Sequence, residues 1–181
     1  MKIKTLITIS ATFLLIACGN KNNRQTDLDK ITKYEDSIDI QNSILSVETG
    51  MHIMELYTHF AATYPTDSLA PVYWHRAAQV AANIHRPDLA LQYLDTITVK
   101  YTDYEYVAEC AFYKGFVLEN VAGDMEHARL AYQEFIDRYP DDPLANDARI
   151  IIENLGLSNE EFLEKILSQN ADTQNDLVEN K

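Results

Sequence analysis

Fourteen residues of this chain are written twice. Tyr57-Thr-His-Phe60-Ala-Ala-Thr-Tyr64-Pro65-Thr-Asp67-Ser-Leu69-Ala70 returns as Tyr132-Gln-Glu-Phe135-Ile-Asp-Arg-Tyr139-Pro140-Asp-Asp142-Pro-Leu144-Ala145, identical at seven positions. The shared residues are those a helix end, a turn and a new helix start require. Aromatics three and four apart lie on one helical face, Pro cannot continue the helix, and Asp caps the next one. A phrase that recurs in this way marks one supersecondary unit used more than once, and such a unit must stack on a neighbour to bury its apolar face. The chain is therefore expected to be all-α and built from stacked helical hairpins.

Composition agrees with that expectation. Five Gly and five Pro among 181 residues are too few for a turn-rich β architecture, and 46% hydrophobic residues suffice for one folded domain with tails. The formal charge of −13, without any cluster of Lys and Arg, argues against a nucleic-acid partner. An acidic surface suits partners with basic patches.

The N-terminus reads as an address. Met1 to Lys4 is basic, Thr5 to Ile16 is apolar and uncharged, and Leu15-Ile16-Ala17-Cys18-Gly19 follows. The apolar run falls short of the roughly 20 residues a membrane-spanning helix needs. The segment resembles a bacterial lipoprotein signal peptide, with Leu15, Ile16, Ala17 and Cys18 as its lipobox. The resemblance implies cleavage after residue 17 and acylation of the Cys18 thiol and new amino group. Several acyl chains anchor stably where one would be marginal. Loss of Lys2 and Lys4 with the signal takes the charge to −15. Gly19 in place of Asp implies, by resemblance to lipoprotein sorting, the outer membrane of a Gram-negative cell, facing the periplasm. The lipid on Cys18 is the only non-protein group expected. Cys110 is then alone, with no basic neighbour in its local sequence, and is expected to be a buried, inert thiol.

Four segments follow from the pattern along the chain: a signal peptide over 1–17; the lipidated Cys, a flexible tether and a capping helix over 18–40; a helical domain over 41–168; and a polar tail over 169–181. Gly19 to Thr26 has no apolar periodicity and reads as the tether. Leu28 to Ile38 permits the amphipathic cap. Helices are expected over Met51–Tyr64, Leu69–Ile84, from Pro87 toward Tyr101, Asp103–Ala122, from Asp124 toward Pro140, and Leu144–Leu155. Gly156 closes the last of these, and Ser158 to Glu161 forms a capping box for a short final helix.

Laid on each other without a gap at an offset of 38, Ala70–Tyr101 and Ala108–Tyr139 bring Trp74 onto Phe112, Ala77 onto Gly115 and Ala90 onto Ala128. This pattern resembles the tetratricopeptide repeat. The resemblance implies a right-handed helical-hairpin solenoid of about three units, with Tyr57, Phe60, Trp74, Ala90, Leu94, Phe112, Gly115, Ala128, Tyr132 and Phe135 in the repeat core. The offset exceeds the usual 34 or so residues, Gly115 sits one place early, and Thr102 replaces the closing Pro. Over residues 50–156 the chain is similar to tetratricopeptide lipoproteins of Gram-negative envelopes, including the lipoprotein of the outer-membrane β-barrel assembly machine and the repeats of the Tol-Pal coordinating protein. The resemblance implies a peptide-binding groove on the first helix of each unit, lined by Val72, His75, Gln79 and Ala82, then by Cys110, Tyr113, Val117 and Asn120.

Reactive groups do not converge. His52, Glu55 and His59 share one side of a helix at metal-ligand spacing, but that side is turned from the Ile53, Tyr57 and Phe60 face and lacks a fourth ligand, so no metal site is expected. No phosphate loop, nucleophile elbow or paired-Cys motif occurs. The expected function is a non-catalytic, lipid-anchored scaffold that binds a protein or peptide in the periplasm, in outer-membrane assembly for example, with no small-molecule substrate. The alternatives are an envelope-structural protein contacting cell-wall polymer and a metal-binding protein using the His pair.

Overall fold

The computed structural model describes residues 13–38 and 45–168, with only the backbone for 13–22. The basic n-region, the first part of the apolar run, Ile40, Ile44 and the polar tail over 169–181 lie outside the described residues. All regular structure within them is helical: α1 (Phe13–Glu35), α2 (Val47–Thr63), α3 (Ala70–Asn83), α4 (Pro87–Lys100), α5 (Val107–Phe116) continuing into a π-helical turn (Val117–Ala122), α6 (Met125–Arg138), α7 (Leu144–Asn154) and α8 over 159–168. The all-α class expected from the repeat is observed. The chain divides into two compact units, Met1–Val107 and Ala108–Lys181.

In the first unit α1 packs on α2, α2 on α3 and α3 on α4. Helix α2 starts at Val47, earlier than expected, because the Ser46 hydroxyl accepts the Thr49 N–H at 3.1 Å. Its buried face, Ile53, Tyr57, Phe60 and Ala61, meets Tyr73 of α3: the Tyr57 and Tyr73 rings stack at 5.3 Å, and Phe60 meets Tyr73 edge-on at 4.9 Å. Ala77, Ala78 and Ala81 are fully buried and let the helix axes approach. Ala90, Leu94 and Ile97 of α4 complete the core.

Residues 19–26, expected as a flexible tether, lie within α1. Arg24 makes a bidentate pair with Asp67, its second bond 3.1 Å long, and its guanidinium sits 5.6 Å from the Phe60 ring centroid. Asp27 accepts hydrogen bonds from Tyr64 Oη at 3.0 Å and Lys30 Nζ at 2.7 Å. The segment holds its place through charged and aromatic contacts, which apolar periodicity does not register. Ile31 is the buried anchor of this helix.

In the second unit Tyr132 and Phe135 of α6 pack with Ala145 and Ala148 of α7, against Phe112 of α5. Phe112 is 5.3 Å from the Tyr132 ring and 5.5 Å from Phe135. The Ser158–Glu161 capping box forms as expected: Ser158 N–H donates to Glu161 Oε2 at 2.8 Å, and Glu161 N–H to Ser158 Oγ at 3.2 Å. Lys165 ties α8 to the end of α7 through Asn154 Oδ1 at 2.9 Å.

The repeated phrase takes one conformation three times. Helices α2, α4 and α6 each end on a Tyr with nearly the same backbone angles: Tyr64 (φ −122°, ψ 60°), Tyr101 (−124°, 55°) and Tyr139 (−131°, 59°). Each of these N–H groups still donates to the carbonyl four residues back, and each carbonyl accepts the N–H three residues on. Asp67 and Asp142 each accept the N–H two residues later at 2.9 Å. Six residues beyond the three tyrosines stand Ala70, Val107 and Ala145, all buried. The middle copy, Tyr101 to Val107, lacks the Pro and is hard to recognise in sequence. Its turn also delays α5 to Val107, four residues later than expected.

This turn fixes the helix register. Ala70 and Val107 are 37 apart, whereas the later helices, Pro87 and Met125, are 38 apart. The extra residue falls between the starts of α5 and α6, where the π-helical turn widens the backbone ladder to take it up. Up to that turn the offset is 37, so Gly115 corresponds to Ala78 and is not one place early. Both residues are buried.

Candidate functional site

The side chains of Leu15, Ile16, Ala17 and Cys18 lie outside the described residues; their backbone belongs to α1. Among the described residues, no helix is long and apolar enough to cross a membrane.

The groove candidates separate by burial. Val72 and Tyr113 are partly exposed, and Gln79 and Asn120 are exposed. His75, Ala82, Cys110 and Val117 are buried and cannot touch a ligand without rearrangement. His75 belongs to a small polar network: Gln79 Nε2 lies 3.3 Å from its Nε2, and its Nδ1 lies 3.4 Å from the Tyr104 hydroxyl. The repeat resemblance assigned the groove candidates to one side of the helix, yet His75, Ala82 and Cys110 are turned inward in α3 and α5. Burial first, then the neighbouring Glu109 charge, pushes the Cys110 thiol pKa up to about 12.

Of the repeat-core candidates, Tyr57, Phe60, Ala90, Leu94, Gly115, Ala128, Tyr132 and Phe135 are buried, whereas Trp74 and Phe112 are only partly so. Trp74 lies against Tyr93 at 5.4 Å, and the neighbouring Tyr73 takes the inward position. With the offset at 37 in this helix, the buried pairs Ala70–Tyr73 and Val107–Cys110 correspond.

The first tyrosine of each copy of the repeated phrase anchors a carboxylate. Tyr57 Oη donates to Glu35 Oε1 at 2.6 Å, and Arg76 donates to the same oxygen at 2.8 Å, so one carboxylate joins α1, α2 and α3. Tyr132 Oη donates to Glu119 Oε2 at 2.9 Å. Burial first, then the carboxylate partner, raises both phenol pKa values well above their ordinary range. The acceptors lie 22 and 13 residues before their tyrosines, outside the repeated phrase, so the sequence did not reveal them. The arrangement holds phenols protonated and carboxylates fixed, which suits packing.

His52, Glu55 and His59 do not converge. His52 lies against Tyr34, with ring centroids 4.5 Å apart, and His59 Nε2 is 3.7 Å from Asp27 Oδ2. Among the described residues no group of three His, Cys, Asp or Glu side chains is placed to hold a metal ion. No protein-family model, curated protein or solved structure matches the chain.

Proposed function

We propose that the chain is a lipid-anchored, non-catalytic scaffold, a tetratricopeptide-like solenoid of about three units that binds a protein or peptide partner in the periplasm. The reading rests on one observation: the Tyr-capped turn recurs at residues 64, 101 and 139, each time six residues before a buried residue in the first turn of the next helix. Units that restate one hairpin stack to form extended surfaces, which suit peptide recognition better than they suit catalysis. Val72 and Gln79 in the first unit, and Tyr113 and Asn120 in the second, are the partner-facing candidates of this reading that are at least partly exposed. Acylation at Cys18 holds the chain to the outer membrane.

The test is fractionation with lipid labelling. Wild-type protein should be membrane-bound and labelled, whereas Cys18→Ala should be unlabelled and either unprocessed or soluble. Unchanged labelling in Cys18→Ala would sink the anchor. Photo-crosslinking from position 79 or 113 in intact cells should capture a discrete protein adduct, and the lack of any adduct from both positions counts against the scaffold.

A further inference from the structure

A cleft of about 510 Å³ opens on the first unit, lined by Glu48, Met51, His52, Met54, Glu55 and Thr58 of α2 and by Tyr93 of α4. It is not part of the surface on α3 and α5 considered above. Met51 is an exposed large apolar side chain, and Met54 forms a buried floor. Glu48 and Glu55 are exposed, and neither takes part in the ion pairs found among the described residues. They stand seven residues apart on one helix, about 10 Å along its axis, with Met51 and His52 between them.

We infer that this cleft docks a basic amphipathic helix of a partner protein, with Lys or Arg at positions i and i+7 and apolar residues at i+3 and i+4. The inference rests on the proposed scaffold role and names the chemistry of one partner. A helix lying along α2 carries the same seven-residue spacing, so its two cations meet Glu48 and Glu55 together. Its apolar residues between them enter the cleft over Met51 and Met54. Methionine suits such a floor because its unbranched, polarizable chain adapts to the shape placed on it. Tyr93 offers an aromatic face to an apolar residue or to the stem of a Lys. The charge complementarity excludes an acidic helix, since two like-charged pairs would face each other across the cleft.

The experiment uses the purified full chain and two fluorescein-labelled, end-capped 15-residue peptides of Ala, Leu and Lys. One carries Lys at i and i+7 with Leu at i+3 and i+4. The other has the same composition with its lysines moved to the opposite face. The first peptide should bind more tightly, with an affinity that falls as salt rises. Glu48→Gln and Glu55→Gln should each weaken it by roughly three- to fivefold, while Glu126→Gln, an exposed acid elsewhere, should leave it unchanged. Circular dichroism confirms that each variant is folded. Equal binding of the two peptides, equal loss in all three variants, or no binding of either peptide overturns the inference. None of these outcomes bears on lipidation, which the Cys18 test decides separately.

Discussion

A β-carbon placed on Gly115 would lie 2.6 Å from two ring atoms of Tyr132. That ring is fully buried and its hydroxyl is tied to Glu119, so it has little freedom to withdraw. Gly115→Ala gains about 1 kcal/mol of helix propensity but overpacks a rigid contact at about 1–3 kcal/mol. The variant should be less stable than wild type by roughly 1 kcal/mol in urea unfolding. A higher denaturation midpoint would show that the ring moves freely.

Tyr57 and Tyr132 make the fold sensitive to alkali. Their folded-state pKa values are raised, so the protonated phenols bind more strongly in the folded chain. Their contribution is complete below the unfolded value near 10 and is lost as pH rises through the folded values. Stability measured between about pH 9 and 12 should fall less steeply in the double variant Tyr57→Phe/Tyr132→Phe. At neutral pH each loss of a hydroxyl should cost about 1 kcal/mol. An alkaline limb identical to wild type refutes the assignment.

The Arg24–Asp67 pair governs the other end of the pH scale. The hydrogen bond from Arg24 lowers the Asp67 pKa, so this contribution is present above the unfolded value near 4 and is lost as pH falls through the lower folded value. Asp67→Asn should flatten the acid limb. Arg24→Ala should loosen α1 around residues 23–26, which limited proteolysis reads as new cleavage there. Cleavage there in wild type at the same rate would mean that the helix is not held.

His85 adopts a left-handed backbone conformation, φ 58°, at the turn between α3 and α4; Gly123, φ 70°, occupies the corresponding turn before α6. A β-carbon is unfavourable in this region. His85→Gly should therefore raise stability by about 0.5–1 kcal/mol after the extra entropy of the unfolded glycine is counted. A lower melting temperature would contradict this.

Cys110 is fully buried, and its thiol pKa is pushed up to about 12. A thiol reagent should label it at neutral pH only on the timescale of unfolding, with full labelling in denaturant. Rapid labelling of the native protein would reveal a path to the thiol.

The sequence by itself determined the helical class, most helix ends and the inward setting of Tyr57, Phe60, Tyr132 and Phe135, because these depend on local chemistry. Tyr64-Pro65 and Tyr139-Pro140 stop helices, Pro87 starts one, and aromatics three and four apart share a face wherever the helix lies. Gly123 and the Ser158–Glu161 box were legible for the same reason. The tertiary structure decided what depends on partners distant in sequence. Arg24 looked like tether until Asp67 stood beside it, and Tyr57 and Tyr132 looked simply apolar until Glu35 and Glu119 met their hydroxyls. Only the fold could show that a π-helical turn takes up the one extra residue and returns Gly115 to register, since spacing marks Gly115 as one place early without showing where the backbone absorbs the insertion. The groove candidates divided on the same ground: period and spacing place residues on one side of a helix, but the helix packed against it decides which of them reach water.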